Sequence, residues 1–151
     1  MRKLTLNKFK TFMSIGIKEK FMFLEAFTLE GIMRMAILII PFKKLKKYMG
    51  KHSVESSYEG DIEDYKIVKK VRWAVMHAAE YTPWESKCLV QALTVQNMLK
   101  RRKIYTTIYL GVGKDENNEM IAHSWIRYGR FFITGGDGTG FSTVAKFCNS
   151  K

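Results

Sequence analysis

Two side chains in this 151-residue chain have the type and setting for nucleophilic chemistry. Cys88 stands in Pro83-Trp84-Glu85-Ser86-Lys87-Cys88-Leu89, at the start of an amphipathic run. His123 stands in Ala122-His123-Ser124-Trp125-Ile126, in a run with the character of a strand. A thiol attacks a carbonyl carbon as thiolate, and with a free pKa of about 8.5 it is mostly protonated at neutral pH. The unpaired amides and the dipole at a helix start favour the anion, and the same amides can hold a developing oxyanion. An imidazole is the usual base for such a nucleophile. Taken singly, each residue also has a structural use, as a buried cysteine on an apolar stripe or as a satisfied histidine in a sheet.

The third group of such a site is less evident. A hairpin turning near Gly129-Arg130 brings residues 134–137 across from His123, and Asp137 is the only carboxylate there. Either Asp137 or a backbone carbonyl near Thr134 would orient the imidazole, and Asp137 in Gly135-Gly136-Asp137-Gly138 also suits a turn. Trp84, Lys87 and Trp125 are the candidates for the oxyanion pocket and its walls, with packing as the alternative for Trp84. His77 falls inside a helix and His52 in a polar stretch, neither near a cysteine at a helix start. Two distant cysteines and three scattered histidines do not give zinc spacing. Gly111-Val112-Gly113-Lys114 lacks P-loop spacing, and no metal or cofactor is expected.

The elements that must position the pair follow from periodicity. Residues 4–30 predict a helix, with Phe9, Phe12, Met13, Ile17, Phe21, Leu24 and Phe27 recurring at spacings of three and four. A second helix is predicted from about Leu29 to Ile40, ended by Pro41, with its apolar end buried. A short basic piece runs from Lys43 to Met49. Asp61 is a natural cap for a helix reaching about Tyr81, with Ile67, Val71, Ala74, Val75 and Ala78 on one stripe. Ser86 predicts the cap of the next helix, from Lys87 to about Arg102, with Cys88, Ala92, Val95 and Leu99 on one face. The period then changes. Strands are predicted over 104–112, 120–128, 131–134 and 143–147, with a polar turn at 114–118 and a glycine-rich loop at 135–140. Helices first and a strand meander after them make an α+β fold. The expected organisation is a basic helical segment (1–50), a linker (51–61) and a core (62–151), packed as one unit.

The net charge of +12 is uneven: residues 1–51 hold 12 Lys/Arg against three Glu. Such a segment suits an acidic protein partner or a membrane surface. The basic residues are interleaved with Leu, Phe, Met and Ile, and no nucleic-acid motif appears, so nucleic acid is not an expected partner. Two cysteines make no disulfide framework, and no convincing signal peptide or membrane span is present, so a cytoplasmic protein is expected.

Several segments together resemble the protease component of lasso peptide biosynthesis, a transglutaminase-like cysteine peptidase that cuts the leader from a ribosomally made precursor. They are Cys88-Leu89 at a helix start, Ile108-Tyr109-Leu110-Gly111-Val112-Gly113, and Ala122-His123-Ser124-Trp125 leading to Ile133-Thr134-Gly135-Gly136. Leu24-Glu25-Ala26-Phe27 and Ile39-Ile40-Pro41-Phe42-Lys43-Lys44-Leu45 resemble its helical lead-in, and the compact length resembles the split version. The resemblance implies a transglutaminase/papain-like core, with the nucleophile's helix packed on an antiparallel sheet. It implies Cys88 as nucleophile, His123 as general base, and an aspartate on the strand after the histidine, where this chain has Thr134, Gly135, Gly136 and then Asp137. It also implies a leader peptide as substrate, a small leader-recognition protein and an ATP-dependent macrolactam cyclase as partners. An acyltransferase or transglutaminase using the same Cys–His site, and a non-catalytic basic binding module, are the competing readings.

Overall fold

The computed structural model describes residues 10 and 13–150. Its elements run α1 (Ile17–Ile39), α2 (Phe42–Met49), β1 (Lys51–His52), α3 (Ile62–Ala79), α4 (Cys88–Arg101), β2 (Thr107–Lys114), β3 (Met120–Tyr128), β4 (Phe131–Thr134) and β5 (Ser142–Cys148). The strands form one antiparallel sheet in the order β1-β5-β2-β3-β4, which with the helices gives the α+β class.

Local chemistry accounts for most boundaries. Ile40 is extended (φ −89°, ψ 125°), as the residue before a proline prefers, and this ends α1. Asp61 caps α3 by accepting from the Glu63 amide at 2.8 Å. Three expectations change. Helix α1 has no boundary near Leu29, because no proline interrupts it and Gly31 is packed under Trp84. The chain instead breaks at Ile15–Gly16, so the helix expected over 4–30 is not continuous; most of its first part lies outside the described residues. The apolar end of α1 is not buried as a block: Ile37 and Ile40 pack on the core, but Met35, Leu38 and Ile39 are exposed.

Helix α4 is the centre of the fold, buried on several sides between α1, α3 and the sheet. Ile108, Ile126, Tyr128, Ile133 and Phe147 point from the sheet into the same core as Val71, Ala74, Val95 and Leu99. Side chains alternate along a strand, so Tyr109, Trp125 and Arg127 belong to the other face. That face is covered by the polar stretch after β1. Tyr109 donates to Glu55 Oε1 at 2.8 Å, and the Ser56 amide donates to Thr107 Oγ1 at 2.7 Å. Buried Arg127 donates to the carbonyls of Ser56 (3.0 Å), Ser57 (3.2 Å) and Gly129 and to the Tyr109 hydroxyl (2.9 Å), with its guanidinium 3.7 Å from the Tyr58 ring centroid. The stretch expected as a linker is therefore laced to the sheet, and its first two residues form β1. Arg127→Met leaves these acceptors without a donor, and a loss of about 3 kcal/mol is expected in urea unfolding. A loss under about 1 kcal/mol would show that water replaces the guanidinium.

Candidate active site

Cys88 is the first residue of α4. Lys87 occupies the cap position with extended backbone (φ −79°, ψ −177°), and no side chain caps the helix. The first intrahelical bond runs from the Gln91 amide to Lys87 O at 3.0 Å, so the amides of residues 88–90 have no partner within the helix. This is the arrangement in which backbone N–H groups can meet a thiolate or an oxyanion.

The expected cap, Ser86, is drawn elsewhere. Its hydroxyl lies 2.9 Å from Thr82 Oγ1 and donates to Glu30 Oε2 at 3.2 Å, while its carbonyl accepts from Gln91 Nε2 at 2.8 Å. Glu30 comes from α1, is fully buried, and props the loop two residues ahead of the thiol. Burial pushes its carboxyl up to about 7, against the opposing pull of the Ser86 hydrogen bond. Glu30 Oε1 and Trp84 Nε1 are both buried without a hydrogen-bond partner, and the Trp84 ring packs over Gly31, next to Glu30. Sequence reasoning missed Glu30; the available signal was a lone acid in Phe27-Thr28-Leu29-Glu30-Gly31-Ile32.

His123 is held from the far side of the ring. Its Nε2 lies 2.7 Å from Gly135 O. A carbonyl only accepts, so Nε2 carries the proton and Nδ1 of the neutral ring keeps its lone pair, the state a base requires. The ring stacks against Phe141 (centroids 4.7 Å apart) and Trp125 (6.1 Å). Gly135 has φ +80°, and a Cβ there would stand 2.2 Å from Ser124 O, so only glycine delivers its carbonyl to this place. Of the two groups expected to orient His123, this contact comes from the backbone. Exposed Asp137 turns its carboxylate to the Thr139 amide at 2.9 Å. Hydrogen bonds from Thr139, from its side chain first and then its amide, hold that carboxyl below the usual value.

The pocket candidates are dispersed. Trp84 packs against Phe27 with centroids 5.2 Å apart, Lys87 pairs with Glu85 at 3.1 Å, and buried Trp125 stacks on Tyr109 at 5.6 Å. Residues 102–106 join α4 to β2, whose first residue pairs with Arg127 of β3. By alternation, Ser124 and Ile126 face α4, while His123 and Trp125 lie on the other face of β3. No hydrogen bond joins Cys88 Sγ to the imidazole. Two shallow grooves of about 310 and 340 Å³ lie elsewhere, along residues 52–59 and β5, and neither includes Cys88 or His123. Among the described residues no cluster of His, Cys, Asp and Glu could hold a metal.

A family model described as "Transglutaminase-like superfamily" matches residues 36–146, a span that holds both Cys88 and His123. The chain belongs to the transglutaminase-like superfamily. Members of this superfamily are usually cysteine peptidases or transglutaminases, so the membership suggests cysteine peptidase or acyl-transfer chemistry. The match begins inside α1 and runs into β5, so Glu30 lies just before it. No curated protein and no solved structure matches the chain.

Proposed function

We propose that this transglutaminase-like protein is a cysteine peptidase that removes the leader from a ribosomally made lasso peptide precursor. The observations that support the chemistry are an uncapped helix start at Cys88 and, separately, a His123 whose Nε2 is engaged and whose Nδ1 is left as base. The choice of substrate rests on the resemblance of the Cys88, His123 and lead-in segments to that peptidase family. His123 Nδ1 takes the proton of the Cys88 thiol, the thiolate adds to the carbonyl carbon of the last leader residue, and the amides at the start of α4 hold the oxyanion. The C–N bond then breaks as His123 protonates the leaving amine. Water, deprotonated by His123, attacks the thioester, the C–S bond breaks, and the leader leaves with a new carboxylate. His123 stands on the face of β3 away from α4, stacked on Phe141 and Trp125, so this reaction requires its imidazole to turn toward the start of α4 when substrate binds. A small leader-recognition protein presents the precursor, and an ATP-dependent cyclase takes the freed core peptide.

The test is to incubate the chain with a lasso precursor and its leader-binding partner and weigh the products. Leader and core fragments whose masses add up to precursor plus one water are expected. Intact precursor would overturn the reading, and a leader–amine adduct would assign the site to acyl transfer instead.

A further inference from the structure

We infer that the outward side of α1 and α2 is a docking surface for an anionic membrane, with α1 lying along the bilayer surface. Ile17, Phe21, Leu24, Met35 and Ile39 recur along α1 at helical spacing and line one side of it. They are exposed by 68, 68, 57, 54 and 69 %. The opposite side of the same helix carries Ala26, Leu29 and Glu30, which are buried. Helix α1 is therefore apolar on two sides, and only one is used by the fold. With 23 residues it offers an edge roughly 34 Å long.

The charges decide what covers that edge. Each acid in residues 1–51 is engaged with the body of the protein. Glu25 pairs with Arg102 at 2.8 Å and Arg101 at 3.6 Å, Glu19 lies 3.8 Å from Lys70, and Glu30 is buried against Ser86. Lys18, Lys43, Lys44 and Lys47 are exposed and form no ion pair among the described residues. The outward side thus offers large apolar groups and positive charge, with the acids turned inward. Bulky apolar residues beside lysines fit the boundary between acyl chains and anionic headgroups. A second copy of the chain would bring like charges together, and nucleic acid gives Phe21, Leu24 and Met35 nothing apolar to meet. None of the described helices is long and apolar enough to cross a membrane, so the contact is peripheral.

The experiment is sedimentation of the full chain with phosphatidylcholine vesicles, with and without about 30 mol% phosphatidylglycerol. Binding to the anionic vesicles is expected. It should fall at least about tenfold in the triple variant Ile17→Ser, Phe21→Ser, Leu24→Ser, and again in Lys43→Glu, Lys44→Glu, Lys47→Glu. These side chains are exposed, so circular dichroism should report an unchanged fold. Absence of binding to anionic vesicles at low salt, or binding that neither variant weakens, overturns the inference. A dimer seen by light scattering and broken by the apolar variant, without vesicle binding, overturns it in favour of a second copy.

Discussion

Under the proposed leader-peptidase reading, Cys88→Ala is expected to leave the precursor uncut, His123→Ala to slow leader release by about a thousandfold, and Asp137→Ala to stay within about threefold of the parent protein. The first result follows from covalent chemistry: alanine has no nucleophile, and the thioester route closes. The second takes its size from general acid–base catalysis, which contributes roughly a hundred- to ten-thousandfold. The third follows from the hydrogen bonds. The Asp137 carboxylate is spent on the Thr139 amide, while the Nε2 proton of His123 goes to Gly135 O. Initial rates of leader release, followed by mass spectrometry, check all three. A loss at Asp137→Ala as deep as at His123→Ala would mean that the loop rearranges to bring the carboxylate to the ring. Undiminished cleavage by Cys88→Ala would remove the thiol from the mechanism altogether.

Glu30→Gln should remove a pH dependence of stability. The Glu30 carboxyl is raised from 4.5 to about 7 in the folded protein. Below pH 4.5 it is neutral in both folded and unfolded chains and exerts no pull. As pH rises, the unfolded chain ionises first while the folded protein keeps its proton, so stability falls until both forms are ionised above about pH 7. The full difference is roughly 3 kcal/mol. Glu55, Glu85 and Asp137 are shifted the other way, below their usual values, so their contributions are lost only as pH falls below the ordinary carboxylate range. Between pH 5 and 8 the comparison of the parent protein with Glu30→Gln therefore isolates one group. Urea unfolding at pH 5 and pH 8 should show the parent losing between about 2 and 3 kcal/mol more than Glu30→Gln over that interval, the rest of the difference lying below pH 5. A gap between the two proteins that does not change with pH would show that water reaches this carboxylate.

Much of the frame was legible because local chemistry set it. Residues 120–128 and 131–134 form strands with the expected bounds, since β-branched and aromatic side chains lie between clear turns. Asp61 caps α3 because nothing competes for its carboxylate. Ser86 fails to cap α4 because Glu30, 56 residues earlier, and Thr82 take its hydroxyl. No local window contains that competition. β1 was invisible for the same reason, since its partners lie at Phe147 and Cys148. The group that holds His123 has no letter of its own, being a main-chain oxygen, and its trace is only the glycine that permits it. Periodicity found the apolar stripe of α1 but cannot say which of two apolar sides faces inward. Cys88 at a helix start and His123 on a strand were legible. The face of the sheet on which the imidazole stands emerged only from the register with Trp125 and Ile126.

The pairing of Lys51 with Cys148 has a consequence for how the molecule is made. It closes a loop of almost the whole globule, and Gly50 packs so tightly against Cys148 O that a Cβ there would stand 2.0 Å from it. The β2–β3 hairpin can zip locally, but the seam between β1 and β5 must wait for the last strand to leave the ribosome. Until then α2 lacks its contacts with β5 and the core lacks Phe147, although α1 can already pack on α3 and α4. Chaperone demand should therefore peak late in translation and drop when residues 142–148 emerge.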